Sequence, residues 1–168
     1  QLMGSHESAL AATAESVLQT DASFLDLNFG CPTKGALKGC AGSALLREPK
    51  RLESIVRTCV EACGGNLPVT AKIRAGFDDA ENVEELARAA EAGGASLLTV
   101  HCRTRSEHYT SEVDWTRITR AVEAVEIPVC GNGGVQVHAD LERMRSVTGC
   151  AYVMVGHAAL ADPWIFSG

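Results

Sequence analysis

Short apolar runs alternate along the chain with stretches in which apolar residues recur every three or four positions. The runs predict strands at residues 1–4, 24–29, 69–74, 96–102, 127–130 and 151–155. Helical spacing lies between them. Leu10, Ala14, Val17 and Leu18 form one stripe, and Leu52, Ile55, Val56, Cys59, Val60 and Cys63 a second. Val83, Leu86, Ala87 and Ala90 form a third, Trp115, Ile118 and Val122 a fourth, and Leu141 with Met144 a short fifth. Strands alternating with helices imply an α/β fold with a parallel sheet. No strand runs into the GxGxxG turn of a dinucleotide-binding sheet. The expected architecture is therefore an incomplete (β/α)8 TIM barrel, a single partial domain over residues 1–168 that carries strands three to eight. The two missing strands are expected upstream of Gln1, and the chain is expected to be a fragment.

Alternation within the strands carries the chemistry. Alternate residues of a strand share a face. In "VTAKIR", Val69, Ala71 and Ile73 suit a helix-covered face, which turns Thr70, Lys72 and Arg74 inward. In "LLTVHCR", Leu98, Val100 and Cys102 oppose Thr99, His101 and Arg103. In "FLDLNF", Asp26 and Asn28 oppose Leu25 and Leu27. Three strands that aim polar groups inward near their carboxyl ends suggest a polar mouth for a ligand, where barrel active sites lie. An internal ion-pair network is the alternative. Glycine-rich turns follow the last two strands, "GNGG" at 131–134 and "GHAAL" at 156–160, the usual phosphate-binding place in such barrels.

Charge and cysteine content narrow the options. The net charge of −6 argues against a protein held to nucleic acid by bulk electrostatics alone. Lys34, Lys38, Arg47, Lys50 and Arg51 still form a basic cluster in sequence. Seven cysteines without a CxxC pair fit a reduced, cytoplasmic setting and give no metal-ligand spacing. No apolar run approaches the ~20 residues of a membrane span. Cys31 lies between Gly30 and Pro32, just beyond the inward-facing Asn28. It is placed to reach the mouth as a nucleophile, with His101 as its base, or as a proton donor.

The blocks "LDLNFGCPTKGALKGCAGS", "VTAKIRAGF", "TVHCRTR", "IPVCGNGG" and "VMVGHAALADPWIF", in this order, resemble the tRNA-dihydrouridine synthases, FMN enzymes on a TIM barrel. The resemblance implies reduction of a uridine C5–C6 double bond in tRNA, with FMN as cofactor and NADPH or NADH as reductant. It implies Cys31 as the general acid, Asn28, Lys34 and Arg103 at the substrate, and Gln1, Lys72 and His101 at the flavin. Asn132, Gly133, Gly134, Gly156 and His157 would hold the FMN phosphate; the family usually has Arg where His157 stands. The resemblance implies that the C-terminal helical domain that grips tRNA in the family is expected to be missing from this piece. Oligomeric state stays open. Two alternatives also stay open: an FMN barrel reductase of a free pyrimidine, and an inactive fragment with residual RNA binding.

Overall fold

The computed structural model describes residues 1–108 and 110–167. Five strands form one parallel sheet in sequence order: β1 (Leu25–Asn28), β2 (Val69–Arg74), β3 (Leu97–His101), β4 (Val129–Asn132) and β5 (Tyr152–Met154). Helix α1 (Glu7–Val17) precedes β1. Helix α3 (Pro49–Cys63), α4 (Val83–Ala92), α5 (Thr116–Ala124) and α6 (Ala139–Thr148) each connect one strand to the next. A short α2 (Lys34–Lys38) and a 3₁₀ turn (Gly42–Arg47) sit in the β1–α3 loop. After β5 come α7 (Ala158–Ala161) and a second 3₁₀ turn (Pro163–Phe166).

The expected strand at residues 1–4 is reduced to a single parallel bridge between Leu2 and Leu27. Leu2 N–H donates to the Asp26 carbonyl and the Leu2 carbonyl accepts from Asn28 N–H, both at 2.8 Å. Residues 3 and 4 leave the sheet as the chain turns into α1, so the ladder stops after one rung. The other five expected strands are present, 69–74 with unchanged bounds and the rest with ends trimmed or shifted by up to two residues.

The two faces of the sheet differ as the alternation requires. Leu25, Leu27, Val69, Ala71, Ile73, Leu98 and Val100 are buried in one continuous core beneath the helices. Each helix contributes its stripe: Leu52, Ile55, Val56, Cys59 and Cys63 from α3, Val83, Leu86, Ala87 and Ala90 from α4, Ile118 and Ala121 from α5. Neighbouring helices touch in order, α1 on α3, α3 on α4, α4 on α5 and α5 on α6. Pro49 opens α3, where its missing N–H would have no partner, and Gly64 closes it at φ 56°. Gly131 lets α6 approach β4: a Cβ there would lie 2.6 Å from Met144 Sδ. The opposite face carries Asp26, Asn28, Thr70, Lys72, Arg74, Thr99, His101, Cys130 and Asn132. An open concavity of about 750 Å³ is lined by Asp26, Thr70, Thr99 and Cys130 of this face, toward the amino ends of the strands, and reaches Gln1, Phe24 and Tyr152.

Candidate active site

Parallel pairing puts the polar ends of the strands side by side. Asn28 is in register with Lys72, Lys72 with Thr99, Arg74 with His101, and His101 with Asn132. Asn28, Lys72, Arg74, His101 and Asn132 are therefore neighbours across one sheet face.

Asn28 shapes the loop that carries the thiol. Its Oδ1 accepts from Gly30 N–H at 2.9 Å and Cys31 N–H at 3.0 Å, an Asx-type turn. Its Nδ2 donates to Gln1 Oε1 at 2.9 Å, while Gln1 Nε2 donates to Asp26. Asp26 also accepts from Thr70 Oγ1 at 2.7 Å. The Cys31 carbonyl is held by Ser43 N–H at 3.0 Å and Ser43 Oγ at 2.8 Å. The half-buried Cys31 Sγ lies 3.3 Å from Thr33 Oγ1. Thr33 caps α2, accepting from Ala36 N–H. All seven cysteines are free thiols, and burial pushes Cys59, Cys102 and Cys130 up to about 11.

Lys72 crosses the face of β3 and donates to Asn132 Oδ1 at 3.1 Å. Asn132 Nδ2 in turn donates to the Met154 carbonyl at 2.8 Å. Burial, with the neighbouring Arg74 charge, lowers the Lys72 pKa, and Asp26 and Cys130 pull it back up. His101 Nδ1 accepts from Arg103 N–H at 3.1 Å. Burial, then the charges of Arg74, Lys72 and Arg103, hold the His101 pKa down to about 3. The imidazole is therefore neutral near pH 7, with its proton on Nε2. The sequence-derived option of His101 as the base for Cys31 fails on this geometry: one ring nitrogen already accepts an amide and the other carries a proton.

The glycine turn after β4 packs tightly against this histidine. Gly133 has φ 105°, and a Cβ there would lie 2.8 Å from Cys102 Sγ and 3.2 Å from His101 Cε1. Gly134, at φ 79°, presses on Val113. Trp115 Nε1–H donates to the Gly133 carbonyl at 3.0 Å, fixing the turn from behind. Gly156 is exposed with open space about its Cα, and exposed His157 stands at the start of α7.

Not every predicted residue joins the group. Arg103 lies beyond the end of β3, is 5 % exposed, and donates through Nε and Nη2 to the Ser111 carbonyl at 3.2 and 2.8 Å. It braces the β3–α5 loop. Lys34 starts α2, on the loop beyond Cys31, and is exposed. Arg47 from the basic cluster stacks 3.6 Å over the Phe77 ring and pairs with Asp78 at 3.0 Å, while Arg51 pairs with Glu48. Sequence reasoning gave no role to Arg74, Ser43 or Trp115. Their partners are backbone carbonyls, which leave no spacing signal.

A parallel α/β sheet with polar side chains toward the carboxyl ends of its strands is the arrangement on which barrel active sites are built. Solved structures with this arrangement include a dihydrodipicolinate synthase (TM-score 0.65, 13 % identity, covering 93 % of this chain and 52 % of that one). Another is a 4-hydroxy-tetrahydrodipicolinate synthase from Methylacidiphilum fumariolicum (TM-score 0.66, 10 % identity, 92 % and 50 %). At that identity the likeness speaks for the fold alone. Sequence goes further. The profile of the family described as dihydrouridine synthase (Dus) matches residues 1–168. The tRNA-dihydrouridine(16) synthase of Cupriavidus necator is 41 % identical over 165 residues, covering 98 % of this chain and 51 % of that protein. The enzyme of the same name from Pseudomonas putida is 39 % identical over 163 residues, 97 % and 50 %. The chain belongs to the dihydrouridine synthase family. It spans about half the length of the curated relatives it matches.

Proposed function

We propose that this chain is the catalytic part of a cytoplasmic tRNA-dihydrouridine synthase, an oxidoreductase that reduces the C5–C6 double bond of a uridine in tRNA. In this reading the five strands and the Leu2 bridge are strands three to eight of a (β/α)8 barrel. The observation that carries it is the parallel register that sets Asn28 beside Lys72 and Arg74 beside His101, with Cys31 three residues beyond Asn28.

The residues fit a bound FMN. Gly133 and Gly134 form a turn in which side chains would collide with Cys102, His101 and Val113, and this turn, together with Asn132, Gly156 and His157, would hold the phosphate. Lys72 is a partly buried ammonium that donates to the Asn132 amide oxygen and is suited to a second, anionic acceptor at the flavin edge. Gln1 and the neutral His101, a donor through Nε2, would complete the contact. When bound, FMN reduced by NADPH or NADH would supply a hydride to C6 of the uracil ring.

The chain's own groups do the rest. Cys31 would give its thiol proton to C5, and its loop is held by Asn28 on one side and Ser43 on the other. Asn28 and Lys34 would orient the base, which must leave its stack to reach the rim. Arg103 would act at the substrate through the loop it braces. The fixed donors and buried cations stabilise negative charge that develops on the ring without reorganising.

The test uses the full-length protein that carries this chain. Purified with FMN, it should convert uridine to dihydrouridine in unmodified tRNA and leave free uracil untouched. Turnover of the free base alone would instead favour a pyrimidine reductase.

A further inference from the structure

Arg74 ends β2. Its half-buried side chain lies on the inner face, between the loop after β1 and the loop after β3. Nε donates to the Gly30 carbonyl at 2.9 Å, and Nη1 donates to the Thr104 carbonyl at 3.0 Å. Gly30 immediately precedes Cys31, and Thr104 lies three residues beyond His101. Both acceptors are main-chain atoms, so the two bonds fix the paths of the loops themselves. Gly30 also rests on the side chain, since a Cβ there would lie 3.6 Å from Arg74 Cγ.

Holding a guanidinium at this spot is unfavourable electrostatically. Burial first, then the charges of Arg103 and Arg105, lower its pKa, with Cys102 and Cys31 opposing. Farther out, Asp78 links the two loops indirectly, accepting from Arg47 at 3.0 Å and from Ser106 Oγ at 3.2 Å. Asn28 and Ser43 secure the Cys31 loop. Backbone bonds from Arg105 N–H to the Gly76 carbonyl and from Ser106 N–H to the Phe77 carbonyl secure the other. Among the described residues, the Arg74 side chain joins Gly30 directly to Thr104. A planar guanidinium can donate in two divergent directions from one rigid group, which a lysine of shorter reach with one nitrogen cannot reproduce.

We propose that Arg74 is a positioning residue: it ties the Cys31 loop to the loop after His101, so that the thiol and the imidazole keep one separation when a base enters between them. The catalytic part of this statement rests on the function proposed above. The tie itself does not.

The test compares full-length wild type with Arg74→Lys, which keeps the charge and loses the fork. Deuterium uptake by amides of residues 29–33 and 102–106 should rise about 10-fold or more in both loops together, as expected for losing a charge-assisted bond at each. Flavin content and the rate of flavin reduction by nicotinamide should stay within two-fold of wild type. Reoxidation of the reduced flavin by unmodified tRNA should slow about 10-fold or more, with tRNA affinity unchanged. Should Arg74→Lys not fold, Arg74→Gln, which donates to one carbonyl, should give an intermediate loosening. Wild-type exchange in the 29–33 loop of a folded variant overturns the proposal. So does full rescue of reoxidation by Arg74→Lys, which would make the role one of charge alone. A wild-type protein that leaves tRNA uridines unreduced counts against the functional reading, and the exchange result then still decides the tie.

Discussion

His101 makes the fold sensitive to mild acid in a calculable way. Its ring is neutral because it is buried and faces Arg74, Lys72 and Arg103. Charging it would also turn Nδ1 into a donor aimed at Arg103 N–H, which now donates to it. With a folded pKa of about 3 and an unfolded value near 6.5, the unfolded chain takes up the proton first. The stabilisation from the neutral ring is thus fully present above pH 6.5 and is lost as pH falls from there toward 3. Stability should drop by about 1.4 kcal/mol per pH unit well inside that window, or about 2 kcal/mol between pH 7 and pH 5. Carboxyls held low by hydrogen bonds from arginine, Glu84 from Arg120 and Glu107 from Arg117, also lose stability as pH falls, but only below the ordinary carboxylate range. Urea unfolding at the two pH values, followed by tryptophan fluorescence, measures the difference. His101→Asn keeps an acceptor near Nδ1 and cannot titrate, so its stability should change by about 2 kcal/mol less over the same interval. Parallel pH dependence of the two proteins would refute the reasoning, as would an imidazole signal of His101 titrating near 6.5.

Other perturbations have equally definite expectations. Cys31→Ala in the full-length protein should leave FMN bound and lower dihydrouridine formation by about 10²–10⁴-fold, the usual worth of a general acid, as read by mass analysis of the tRNA nucleosides. Gly133→Ala should be destabilising by about 1–3 kcal/mol in urea unfolding, because φ 105° and a sulfur 2.8 Å away both resist a methyl group. Leu98→Ala should cost about 2–5 kcal/mol by the same assay, since the side chain is fully buried between sheet and helices. His157→Arg should tighten FMN binding several-fold in a fluorescence titration if this position contacts the phosphate; unchanged affinity would remove it from the site.

How far the sequence alone reached depended on whether an interaction is periodic. The inward set of Asp26, Asn28, Thr70, Lys72, Thr99 and His101 was readable because strand side chains alternate strictly, and the register places them together. The helical stripes were readable for the same reason at their own period. Residues 1–4 misled, since a run that begins like a strand can still leave the sheet after one bridge when the next residues turn into a helix. Arg103 misled similarly: alternation carried past His101 assigns it inward, but the strand has ended and its guanidinium finds a loop carbonyl. The α2 and 3₁₀ turns in the β1–α3 loop are too short to show an amphipathic period. Trp115 reads as part of a helical stripe, whereas it stands just before α5 with its indole on Gly133. Side chains that bond to distant main-chain carbonyls follow no spacing and became visible only in three dimensions.

The central claim is that Cys31 gives the proton, and Lys72 and His101 hold the flavin, when reduced FMN passes a hydride to a uridine in tRNA. Stopped-flow reoxidation of pre-reduced, FMN-loaded full-length protein by unmodified tRNA tests it most directly. The account predicts fast reoxidation with dihydrouridine as product in wild type, and loss of that phase in Cys31→Ala while reoxidation by oxygen persists. Equal reoxidation by tRNA in both proteins, or none in wild type, would contradict it.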